Sequence, residues 1–106
     1  MPKYLWQVRY TQEGLKGLLK EGGSQRQKAL EEALKSIGGK VEAFYYAFGD
    51  ADVFTIADLP DNISIAAGAL AINATGAAVV KTTILLTPAE IDAACKKSCH
   101  YRPPGS

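Results

Sequence analysis

The amino-acid sequence predicts an α+β fold: an antiparallel sheet with helices over one face, in the order β-α-β-β-α-β with one additional C-terminal helix. Three observations carry this expectation. Tyr4, Trp6, Val8 and Tyr10 alternate with Lys3, Gln7, Arg9 and Thr11, the two-residue period of a strand with one buried face. Two runs rich in aromatic and β-branched residues, 40–48 and 53–59, flank Gly49-Asp50-Ala51-Asp52, whose glycine and short acidic side chains suit a hairpin turn. Glycine, proline and capping residues punctuate the chain where the period changes from two to three or four.

Taken in order, residues 3–11 form the first strand. Leu15, Leu18 and Leu19 follow at helical spacing, and Gly22-Gly23 interrupts them. Ser24 with Gln27 three residues on would restart the helix through a capping box, and Leu30, Leu34 and Ile37 continue the apolar stripe. The Lys, Glu and Gln residues between 25 and 35 read as the solvated face. Gly38-Gly39 stops this helix, and the hairpin of residues 40–59 follows. Asp61 or Asn62 caps an alanine-rich helix that runs to about Ala74 and ends near Gly76. Residues 77–86 are the fourth strand. Thr87-Pro88-Ala89-Glu90 then combines a capping hydroxyl, proline in the first turn and a glutamate placed to reach back, starting a short last helix. This order matches a ferredoxin-like arrangement.

Composition bounds the rest. A chain of 106 residues suits one domain, here 1–106. Twelve Lys and Arg against eleven Asp and Glu give a net charge of +1, without the basic excess that would make nucleic acid or an anionic membrane the default partner. The apolar-leaning stretch 63–80 is broken by Ser64, Gly68, Asn73, Thr75 and Gly76, and no membrane span is expected. Met1-Pro2-Lys3 does not open a secretory signal, so the expected location is cytoplasmic. Leu5, the apolar residues of 44–48 and the run Ile84-Leu85-Leu86 leave more apolar sheet surface than one helical layer covers. A sheet-to-sheet homodimer, or a higher homo-oligomer, is therefore expected.

Residues able to carry chemistry sit mainly on the strands. Trp6, Tyr10 and Tyr46 serve either as core packing or as walls of a site for a flat hydrophobic ligand. Arg9 suits a carboxylate or phosphate, or an ion pair at an interface. Lys81, with Thr82 and Thr83 beside it, suits an anion or simply protects an exposed strand. Ligand-binding candidates are thus Trp6, Arg9, Tyr10, Tyr46 and Lys81; catalytic candidates are Tyr45, Tyr46 and Asp52. Tyr45 and Tyr46 project to opposite faces of a regular strand. Asp50, Asp52 and Asp58 cluster near the hairpin, where Asp52 also suits a brace through backbone hydrogen bonds. Cys95, Cys99 and His100 lack CxxC spacing and a complete zinc ligand set, so no metal and no cofactor is assigned. GxGxxG and GxxxxGK[ST] are absent.

With these segments placed, nearly the whole chain resembles the bacterial GYD-domain family. The resemblance rests on YLWQVRYTQEGLKGLLKEGGSQR at 4–26, GGKVEAFYYAFGDADVFTIADLPDN at 38–62, TTILLTPAEIDAA at 82–94 and YRPPG at 101–105. Gly49 and Asp52 match the family's hairpin signature, while Ala51 stands where its tyrosine is expected. The resemblance implies a dimeric α/β barrel, in which two sheets pack together and each subunit keeps a pocket between sheet and helices. Three functions follow from it together with the aromatic strands. The first is a homo-oligomeric protein binding an aromatic or hydrophobic small molecule. The second is a cofactor-independent isomerase or oxygenase in which tyrosines or Asp52 handle protons and Arg9 holds an acidic substrate. The third is an assembly subunit without its own ligand, with the YRPPG arm docked on a neighbour.

Overall fold

A computed structural model describes residues 1–106 as four strands and four helices. They are β1 (Lys3–Tyr10), α1 (Gln12–Glu21), α2 (Gly23–Lys35), β2 (Lys40–Tyr46), β3 (Val53–Asp58), α3 (Asn62–Ala74), β4 (Ala78–Leu85) and α4 (Pro88–Cys95). The sheet runs β2-β3-β1-β4 with every neighbouring pair antiparallel, the ferredoxin-like order. No helix is long and apolar enough to cross a membrane.

The alternation in β1 decides what each face carries. Tyr4 pairs with Ala57 and Ile84, Trp6 with Thr55 and Thr82, and Val8 with Val53 and Val80. Paired residues share a face, so these positions form the floor on which Leu34, Leu59 and Ile65 pack as the core. The polar atoms that enter this core are all partnered. Trp6 Nε1 donates to Thr82 Oγ1 at 2.8 Å, and the Tyr4 hydroxyl donates to Asn62 Oδ1 at 2.6 Å. Leu5, Gln7 and Arg9 point the other way, beside Ile56, Phe54 and Val79. A register shift between Val41 and Ala43 keeps Phe44 and Tyr46 on the helix side of β2 and leaves Tyr45 outside.

Most helix ends follow the local signals. Thr11 accepts from the Gly14 N–H, Asp61 accepts from the Ser64 N–H at 2.8 Å, and Thr87 and Glu90 form the reciprocal capping box. The start of α2 differs from expectation. It begins at Gly23, with Gly22 as its N-cap and no side-chain cap, so the Ser24–Gln27 box does not form. Gly22 has φ +86°; its N–H closes α1 on Leu18 and its carbonyl already accepts from Arg26, which leaves Ser24 inside the first turn.

A second correction concerns Asp58. It lies at the end of β3 remote from the hairpin, opposite Lys3, and accepts from Lys3 Nζ at 2.8 Å. The three aspartates therefore form no cluster, because the six residues of β3 carry Asp58 to the opposite end of the strand from the hairpin. Lys3 also meets Glu42 at 2.9 Å; hydrogen bonds to Asp58 first and Glu42 second hold its ammonium above the usual lysine range.

Candidate ligand-binding cleft

Between the sheet and α2 the core is incompletely filled. A recess of about 100 Å³ has Val8, Phe44, Val53 and Ala78 as its floor and Leu30 of α2 and Ile72 of α3 above it. Ala29 and Ala33 line it where larger helix residues would close it. Tyr10 and Arg26 stand at its polar end. They also line an adjoining recess of about 220 Å³ under α1, which adds Glu13 and Glu21.

Local structure explains why this end stays open. Gly14 lets α1 lie directly on the start of β4, since a Cβ there would collide with the Ala77 carbonyl. Gly17, one turn on, faces open space. Arg26 lies one turn before Leu30 on the face of α2 that also carries Ala33, so its stem lines the recess while its guanidinium meets Glu21 Oε2 at 3.1 Å. The mouth therefore offers one cation, two carboxylates and a phenol above an apolar floor.

Tyr46 flanks this mouth. Its ring packs edge-on against Phe44, with centroids 5.1 Å apart, and its hydroxyl donates to the Gly23 carbonyl at 2.9 Å. Burial, followed by the nearby Tyr10 hydroxyl, pushes the Tyr46 phenol up to about 12. At neutral pH it is a protonated donor engaged with the backbone, unsuited to removing a proton from substrate.

The structure separates the other candidates. Trp6 is 1% exposed and belongs to the core. Asp52 braces the hairpin end, accepting from the Tyr10 N–H at 2.8 Å. Arg9, Lys81 and Tyr45 lie on the opposite face of the sheet, where Arg9 donates to the Asp50 carbonyl at 3.0 Å and Lys81 sits opposite Gln7. An arrangement with Arg9 holding a substrate beside Tyr10 or Tyr46 is therefore split across the sheet thickness. Cys95, Cys99 and His100 are exposed after β4, away from the cleft. Arg26, Glu13 and Glu21 are the residues sequence reasoning passed over. The signal for Arg26 was its place four residues before Leu30 in an apolar stripe.

Fold and cleft together define a ferredoxin-like α+β domain with an apolar recess between its sheet and its helices. The sequence model of the GYD domain matches residues 4–95, and the chain belongs to the GYD-domain family. No curated protein matches it.

Proposed function

We propose that the protein is a homo-oligomeric small-molecule-binding protein whose ligand places an aromatic or hydrophobic body in the cleft. The observation that carries this reading is the pairing of an apolar floor with the Tyr10 and Arg26 mouth. The inner recess of about 100 Å³ suits a single ring or a short branched chain, and the outer one leaves room for a polar group. Arg26 supplies a planar donor for a carboxylate, which would displace or share its bond to Glu21. The outer sheet face supports the assembly half of the proposal. Tyr45, Phe54 and Val79 are 72%, 39% and 59% exposed there, an apolar surface that a second sheet would cover to give a dimeric α/β barrel. Two exposed free thiols fit a reducing, cytoplasmic setting.

The test is amide chemical-shift mapping of the full chain with benzoate, salicylate and phenylacetate. Shifts concentrated at Val8, Tyr10, Arg26, Leu30 and Val53, abolished by Ala33→Leu, are the expected result. Shifts confined to the outer face, or no saturable shifts with any of the three, would overturn the cleft assignment.

A further inference from the structure

Every residue from 86 to 106 is exposed, although the segment is not featureless. It contains α4, begun by a complete capping box, and its hydrogen bonds are all internal. A helix of eight residues has too little cooperativity to persist alone in water and needs a surface to pack on. Leu86, Ile91 and Tyr101 are 56%, 46% and 72% exposed, so the arm carries the apolar side chains for such packing. Its own body leaves all three exposed.

The dimensions of the whole chain lead to the same point. Its radius of gyration is 16.8 Å, against about 13 Å for a compact domain of this length. It exposes 7526 Å², whereas a compact monomer of its mass exposes about 5,700 Å². The excess, roughly 1,800 Å², exceeds the ~800 Å² that each partner commits to a standard interface. Apolar surface to receive an arm is present on the body. Leu19 and Phe48, 85% and 100% exposed, stand beside Leu15 and Leu18 at the hairpin end of the sheet, whereas the arm leaves β4 from the end near Lys3.

From these observations we infer that residues 86–106 dock on a second copy of this chain, each subunit clasping the body of the other. The inference goes beyond the sheet-paired dimer proposed above, which requires only the outer sheet faces, and it rests on that dimer for its partner.

Cys95 and Cys99 place the probe where it is needed. The full chain is labelled at these thiols with benzophenone maleimide, and ¹⁴N and ¹⁵N copies are co-refolded, irradiated and digested for mass spectrometry. Hybrid ¹⁴N–¹⁵N products that join the arm of one copy to the body of another are expected. Deleting residues 87–106 should leave the circular dichroism of the sheet intact, since the arm makes no hydrogen bond to it, and weaken self-association about a hundredfold. A dimer by sedimentation that gives only same-isotope products, or whose association survives the deletion unchanged, would overturn the clasp and leave the sheet-paired dimer standing. A monomer would overturn both and leave the cleft untouched.

Discussion

Tyr46 illustrates how one side chain fixes what the cleft can do. Its phenol ordinarily titrates near 10, and burial with the Tyr10 hydroxyl beside it raises that to about 12. The folded state therefore holds this proton more tightly than the unfolded chain does. The resulting stabilisation is fully present below the unfolded value and is lost as pH rises through the folded one. Urea unfolding should show stability falling between about pH 10 and 12. In Tyr46→Phe that component should vanish, at a cost near neutrality of about 1 kcal/mol for the lost bond to Gly23. An absorbance titration at the phenolate band that finds every tyrosine near 10 would contradict this account. Arg26 makes the complementary prediction. Arg26→Gln should retain the fold and weaken binding of an aromatic carboxylate about tenfold, the scale of one charge-assisted hydrogen bond, as read by the same chemical-shift titration.

At the scale of elements, the packing of α1 depends on a residue that is absent as a side chain. Gly14 brings α1 against the Ala77 carbonyl, and backbone cannot move aside as a flexible side chain can. Helix propensity alone would favour alanine there by about 1 kcal/mol. Steric overlap should reverse the sign, and Gly14→Ala is expected to destabilise the protein by about 2 kcal/mol in urea titrations. Gly17→Ala, which faces open space, should be neutral or stabilising.

These cases also separate what was legible in the sequence from what was not. The face carrying Tyr4, Trp6 and Val8, the hairpin and the Thr87–Glu90 box were legible because strand period, turn chemistry and capping are local. The restart of α2 was not: the positive φ of Gly22 let one residue end one helix and begin the next, bypassing Ser24. The cleft was legible only in part. Tyr10 and Tyr46 lie on the helix side by alternation, but the cation that meets them comes from α2, and only the tertiary placement of that helix distinguishes Arg26 from Arg9.

At the scale of the whole molecule, the proposed assembly makes folding and association one equilibrium. If the outer sheet face of each copy is covered by another, the unfolding midpoint must depend on protein concentration by mass action. A tenfold rise adds about 1.4 kcal/mol per dimer, which for two chains unfolding together corresponds to roughly 4 °C. Phe54 is the residue on which to break this link. It lies on the outer face between Gln7 and Tyr45, so a charge there faces solvent in one chain and a second sheet in two. Phe54→Lys should leave the monomer's core of Trp6, Val53 and Leu59 in place, abolish the concentration dependence and lower the midpoint at high concentration. A midpoint that is flat with concentration in the unmodified protein would overturn the assembly itself, and a slope unchanged in Phe54→Lys would place the contact elsewhere on the molecule.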